Sequence, residues 1–487
     1  MNTHESAVKA AIGIGAVASI IVSVAFAPSV AQPRHETVNI AHDIKPMPKD
    51  QPMTTQPLDG ARWHGSDMRR GGHLYMQTNE TKNFVVHYQR SANGTLAEVE
   101  RVATGGAGSG ELSPIYHIKR PNDFEGAGSV ILTPDHRFLF TTNAGDNSVS
   151  SFSVEIDGRL TALDVKRTGN PTNGGAKSLA YAPSSRTLFV LHTFGPDHLR
   201  LMSVDAKGKL TPRPEPYSVN TKDWSNRGPT MAVLSPDGKF LIVGTTFDEL
   251  PSRKNPDGSV ILWIPRPDGT SVTYHTAADA LLKSLHVIAS NAPDPDGLVV
   301  FPVGGDGTLG APSFYDAGGA SPFYIAFLHN RPDTFIIAYA VSDGVAMGRI
   351  DADGKISVIS PLVKIDTSAG LPSELCWLAV SPDDRFVFTT NFGYSSVSSF
   401  HIDGNVLSIA KDPAGPKVPG DGTFRALDSV VSSGPSDTWL TPDGAYFFQI
   451  YGNASKLVGY ATQPDGSLKE ITSVKIPYNS PQGLAGF

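Results

Sequence analysis

The chain has 487 residues, 40% of them apolar and 18% charged, a globular composition with enough apolar material for a sizeable core. Its net charge of −7, with no dense Lys/Arg run, argues against a nucleic-acid partner, which needs a basic footprint. Cys376 is the sole cysteine, so an intramolecular disulfide and any cysteine-based zinc or iron–sulfur site are excluded.

Lys9 precedes the apolar run AAIGIGAVASIIVSVAFA (10–27), and SVA (29–31) places small residues where a leader is cleaved. Residues 1–31 are therefore expected to be a signal peptide, with an uncleaved membrane anchor as the rival reading. The mature protein is expected in the periplasm or outside the cell, off the membrane. Residues 32–71 carry Pro33, Pro46, Pro48, Pro52 and Pro57 with little apolar pattern and read as a flexible linker.

From residue 72 onward a repeat dominates. LTPDHRFLFTTNAGDNSVSSF (132–152) returns as VSPDDRFVFTTNFGYSSVSSF (380–400), with 14 of 21 positions identical. A glycine hairpin turn follows each such stretch, at Gly94, Gly158, Gly208, Gly307, Gly354, Gly404 and Gly466. Glycine suits these places because the turn needs positive φ, which a Cβ resists. A second turn, with Pro134, Pro183, Pro236, Pro332, Pro382 or Pro442, precedes six of the seven. Between the turns lie alternating runs such as RFLFTTN (137–143), so each unit reads as four antiparallel strands, A to D.

Four-stranded units recurring about every 50 residues predict an all-β, seven-bladed β-propeller over 72–487. The first unit lacks strand A, and the apolar tail PQGLAGF (481–487) lacks a partner. The tail is expected to pair into blade 1 and close the ring, removing two free sheet edges. Two insertions break the rhythm, at about 105–127 and about 248–297. The second contains TAADALLKSLHVIAS (276–290), spaced as a helix behind a Thr cap. Both SVILWIP (259–265) and LVVFPVG (298–304) qualify as blade 4's third strand, and the repeat pattern after it favours the second.

SPDGKFLIV (235–243), SPDDRFVFTTN (381–391) and TPDGAYFFQIYGN (441–453) resemble the lactonase-type seven-bladed propellers, the superfamily of 6-phosphogluconolactonase and carboxymuconate-lactonizing enzyme. FTTN (140–143, 388–391) is also similar to the Tyr-Val-Thr-Asn repeat of other propellers. The resemblance implies a lactone-opening hydrolase acting on a small molecule; no HExxH, phosphate loop or G-x-S-x-G motif is present, so no metal or cofactor is expected, and a monomer is expected. The family's catalytic set is not retained residue for residue. EGAGSVILTPD (125–135) has no histidine, and Thr230, Met231 and Thr246 stand where the resemblance implies Arg, His and Glu.

Lactone opening needs a base for water and a donor or cation for the oxyanion. The 105–127 insertion offers Glu125 or His117 as base and Arg120 as oxyanion partner, with Asp123 and Lys119 beside them. Asp248 and Glu249, and Glu374 before an inner strand, are further candidates for substrate binding. Each also has a plainer reading, as a solvated loop or a turn residue. DPDG (294–297) and DADG (351–354) lack the glutamate of a calcium loop and read as turns. Asn79, Asn143, Asn391 and Asn453 end successive B strands and are expected to bond turn backbone. A non-catalytic propeller that binds a small molecule, glycan or protein on the same face is the alternative function.

Overall fold

The computed structural model describes residues 71–487 except 114–118, 125, 171–173, 196, 221–226, 249–251, 255–259, 266–270, 277–295, 366–372 and 427–429. The expected leader and linker at 1–70, and the expected helix at 276–290 beyond its first residue, lie outside the described residues.

Alternating side chains and glycine turns produce, among the described residues, seven blade sheets in the propeller order, six with four strands and that of blade 5 with a fifth short strand, Val363–Lys364, beside its third. In blades 2 to 7 the inner strands are Val130–Leu132, Ala176–Ala182, Arg227–Leu234, Pro322–Phe327, Leu375–Val380 and Pro435–Leu440. Blade 1 is composite: Gly71–Gln77, Phe84–Ser91 and Leu96–Ala103 run outward, and the C-terminal strand Gln482–Gly486 pairs antiparallel inside Gly71–Gln77. The ring is closed by the tail, as the unpartnered PQGLAGF predicted. Phe487 is 4% exposed, and its backbone exchanges hydrogen bonds of 2.8 and 3.0 Å with His73.

Blade 4 takes Gly297–Pro302 as its third strand, paired to Phe240–Asp248. Ser252–Lys254, Val260–Pro265 and Ser271–Thr276 instead form a separate three-stranded sheet inside the second insertion. The choice between the two hairpins thus follows the repeat pattern.

All seven hairpin glycines have positive φ, from 58 to 82°. Most of them also meet the preceding blade. A Cβ on Gly208 would stand 2.6 Å from the Phe138 ring, and one on Gly466 2.8 Å from Phe386. Gly94, Gly158, Gly307 and Gly354 abut Tyr446, His73, Thr187 and Phe240 in the same way. The turn of each of these blades is tucked against the start of its neighbour's second strand. Glycine is needed there for room as well as for φ. Large apolar side chains also pack in the blade-to-blade seams, with Trp377, Phe140 and Phe152 fully buried.

Candidate functional site at the leading ends of the inner strands

The terminal Asn of the second strands acts on loops and neighbouring hydroxyls more than on its own turn. Asn391 Nδ2 donates to Ser396 Oγ (3.1 Å) and Ser398 Oγ (2.6 Å), and Asn143 Nδ2 to Ser148 and Ser150 (3.0 and 2.8 Å). Asn79 Oδ1 accepts from Ser109 N–H at 3.0 Å, and Asn453 Oδ1 from Asp421 N–H at 3.0 Å. The expectation of bonds to turn backbone is corrected accordingly. These amides fasten strand C or the linker that crosses the same end of the ring.

The described residues of the 105–127 insertion are fastened at several points. Gly108 and Gly110 N–H groups bond to Glu80 and Asn79 carbonyls in blade 1. Arg120 places its guanidinium 5.8 and 5.6 Å from the Phe392 and Phe424 rings. Pro121 fits over Gly434, whose Cβ would stand 2.1 Å from it. The Phe124 carbonyl accepts from Lys177 Nζ in blade 3 (3.2 Å), and Ala127 N–H donates to the Thr230 carbonyl in blade 4 (3.1 Å). The described residues of this segment thus touch blades 1, 6, 7, 3 and 4 in turn before it starts blade 2.

Asp123 anchors that segment. It is fully buried, accepts from Asn79 Nδ2 with both oxygens at 3.1 Å, and is bonded by Ser109 Oγ. Burial pushes its carboxyl well above the usual carboxylate range. Lys119 is exposed and pairs with Glu111 at 3.9 Å. Glu374 leads the strand Leu375–Val380 in the left-handed region (φ 51°) and is 9% exposed. Its N–H, with those of Ser373 and Leu375, bonds the Asp343 carboxylate. His117, Glu125 and Glu249 lie outside the described residues, as does the side chain of Asp248, which ends the strand Phe240–Asp248. The structure thus places Arg120 and Asp123 on the segment that leads into blade 2 and Glu374 at the start of the inner strand of blade 6.

Thr230, Met231 and Thr246 are engaged between blades. Thr230 Oγ1 donates within reach of the Gly244 and Pro322 carbonyls, both at 3.1 Å. Met231 Sδ accepts from Ile325 N–H at 3.0 Å, and Thr246 Oγ1 meets Ser321 Oγ at 2.9 Å. The positions where the family resemblance implies catalytic groups here join blade 4 to blade 5.

A further buried acid lies in the inner strand of blade 7. Asp437, in Pro435–Leu440, is 4% exposed. Gly128 N–H approaches its Oδ1 at 3.5 Å, and Gly483 N–H also bonds it. Gln482, with its amide turned to satisfy both neighbours, donates to Asp437 Oδ2 and accepts from Asn122 N–H, each at 3.3 Å. Gly483 lies in the inner strand of blade 1 and Gly128 just before that of blade 2, so the blade 7 carboxylate meets backbone of both blades. Burial raises its pKa from 3.8 to about 6, and the backbone donors oppose that rise. Tyr324, in blade 5, has its phenol raised by burial first and by the Asp437 charge second. Asp437, Tyr324 and Lys177 were not singled out from sequence. A signal existed: GPSDTWLTPDG (434–444) repeats GPTMAVLSPDG (228–238), so Asp437 occupies the rank of Met231.

Residues 39–225 match the family described as "Lactonase, 7-bladed beta-propeller". A 6-phosphogluconolactonase of Erwinia tasmaniensis is 24% identical over 272 residues, 52% of this chain and 72% of the relative. The structure of the Pseudomonas aeruginosa periplasmic gluconolactonase PpgL covers 85% of this chain and 99% of its own, with TM-score 0.55 and 17% identity. That of a Bacteroides uniformis protein described as a 6-phosphogluconolactonase covers 86% and 100%, with TM-score 0.54 and 14% identity. These structures share the fold.

Proposed function

We propose that this lactonase-type seven-bladed propeller is an exported hydrolase that opens a small lactone at the leading ends of its inner strands, with Asp437 as general base. The observation that carries the reading is a buried carboxylate with a pKa of about 6, held by backbone N–H groups of two neighbouring blades. Such a group is mostly ionised at neutral pH yet basic enough to take a proton from water. The family match and the propeller likenesses supply the reaction class, and the apolar run at 10–27 supplies export.

In this mechanism Asp437 removes a proton from water as the oxygen attacks the lactone carbonyl. The carbonyl electron pair moves to oxygen, and the Tyr324 hydroxyl donates a hydrogen bond to the oxyanion. Collapse re-forms the carbonyl, breaks the ring C–O bond and passes the proton from Asp437 to the leaving alkoxide. The product is an open hydroxy acid. Arg120, across the mouth, orients the substrate beside the ring face of Phe392.

A blank-corrected pH-stat assay of the mature protein against a lactone panel tests this, with Asp437→Asn beside the wild type. The expected result is turnover that falls at least about 100-fold in a variant that melts cooperatively. A second reading has its own observation: Asp437 already accepts from Gly128, Gly483 and Gln482, as a structural keystone of a binding propeller would. Absence of turnover, or turnover indifferent to Asp437→Asn, leaves that second reading in place.

A further inference from the structure

We propose that blade 6 pairs with blade 6 of a second copy of this chain, its outermost strand Val406–Lys411 lying antiparallel to the same strand across a two-fold axis at Ser408. The pairing is independent of the hydrolytic reading.

The outermost strand of a blade is a sheet edge, with a row of N–H and C=O groups turned away from the sheet. Folded proteins guard such edges with charge, proline or brevity. Six blades here do so. LAEVERVA (96–103), LTALDVKR (160–167) and LKEITSVK (468–475) carry charges in mid-strand, and LTPRPEPY (210–217) is interrupted by prolines. The outer strands of blades 4 and 5 are short, Ser313–Asp316 and Ile356–Val358. Among the described residues blade 6 alone ends on an unguarded edge, VLSIAK (406–411). Its one charge is the last residue, Lys411, which pairs with Asp465 of blade 7 at 3.0 Å.

This edge is also apolar and open. Val406 is 63% exposed and Ile409 40%, on opposite faces of the strand. Among the described residues no backbone hydrogen bond from outside blade 6 reaches Val406–Lys411. A Cβ on Gly404 would meet nothing within 4 Å, whereas the other hairpin glycines abut the preceding blade. The corner where the edge begins is therefore uncovered.

The turn fixes which groups are available. Gly404 and Asn405 form a two-residue loop between Asp403 and Val406, which face each other as a bonded pair. Bonding sense alternates from there. Val406 and Ser408 turn their N–H and C=O groups to the third strand of blade 6, and Leu407 and Ile409 turn theirs outward. A second copy laid antiparallel across Ser408 sets its Ile409 against Leu407 and its Leu407 against Ile409, so each outward group gains a partner. The contact is self-complementary, as a two-fold interface must be. No like charges meet across its centre, and the exposed apolar surface of Val406 and Ile409 leaves water as two blades become one sheet.

Sedimentation equilibrium of the mature protein from about 1 to 200 µM tests this, a span that covers weak and moderate self-association. A concentration-dependent dimer is expected. Ser408→Lys sets two ammonium groups face to face on the axis and should raise the dissociation constant at least about tenfold, with melting unchanged at this exposed position. Engineered cysteines report the register, because Cys376 is buried. Ser408→Cys should give a disulfide-linked dimer under mild oxidation, since the facing Cα atoms of a non-hydrogen-bonded pair stand roughly 4.5 Å apart. Val406→Cys should not, because its two copies lie roughly 14 Å apart along the strands. If Ser408→Lys melts early, the cysteine pair alone decides. A monomer throughout that range, the state expected from sequence, overturns the pairing. A dimer indifferent to a folded Ser408→Lys, or linkage as ready at Val406 as at Ser408, overturns it equally.

Discussion

Phe487 stacks on His136, their ring centroids 4.6 Å apart and their planes 14° from parallel. The last residue of the chain thus sits on the first turn of blade 2, while its backbone pairs with His73 of blade 1. One side chain ties both sides of the closing seam.

Phe487→Ala should cost about 3–5 kcal/mol, the usual loss for a buried phenylalanine. Deleting 482–487 should do more, because it also exposes the edge of Gly71–Gln77. Thermal unfolding reads both. An unchanged melting temperature for the deletion would refute closure by the tail as a source of stability.

The same seam should weaken in acid. His73 and His87 face each other at 2.9 Å, and burial, followed by His87, lowers the His73 pKa from 6.5 to about 4. The unfolded chain takes up this proton first, so the stability His73 contributes above about pH 6.5 is lost as pH falls towards 4. The urea midpoint should drop across that window in the wild type and drop less in His73→Phe.

Asp437 works in the opposite sense. Its folded pKa, about 6, lies above its ordinary 3.8, so its charge burdens the folded state above pH 6 and the burden lifts as pH falls towards 3.8. Asp437→Asn should therefore raise stability at pH 7.5 by about 1–3 kcal/mol while lowering turnover at least about 100-fold. In the wild type, kcat/KM should rise with pH through an apparent pKa near 6, because the base must be ionised.

Inter-blade fit can be separated from turn strain. Gly208→Ala brings a Cβ to 2.6 Å from Phe138 at φ 78°, whereas Gly404→Ala meets nothing within 4 Å at φ 58°. The second change should cost about 1 kcal/mol, the backbone share alone. The first should cost clearly more, and Phe138→Leu should recover part of the excess. Equal losses in denaturant titrations would show that the close approach carries no energy.

Asn79→Ala should loosen the crossing insertion. It removes the Nδ2 donor that both oxygens of the fully buried Asp123 carboxyl share at 3.1 Å, leaving Ser109 Oγ as its side-chain partner. A loss of about 2–4 kcal/mol is expected, with faster amide exchange at Gly108 and Gly110, whose N–H groups bond Glu80 and Asn79.

Much of the architecture was legible because its causes are local and repeated. A glycine at φ near 80° and an alternating run such as FLFTTN specify a hairpin within a few residues, and seven copies specify a ring. The site was harder to read. Arg120 and Asp123 were drawn from a loop rich in polar residues, and the structure shows Asp123 holding that loop to Asn79. The repeat alignment that ranks Asp437 with Met231 was available, but a carboxylate at a strand start looks ordinary until its neighbours are known.

By itself the sequence determined the number of blades and the composite first blade, and favoured one of two hairpins as the third strand of blade 4, since strand pattern and turn chemistry act between residues close in the chain. Only the tertiary structure decided that Asp437 meets Gly128 and Gly483, residues 309 and 46 positions away. Those contacts depend on how far each blade is rotated about the shared axis, and that rotation is set by the packing of whole sheets.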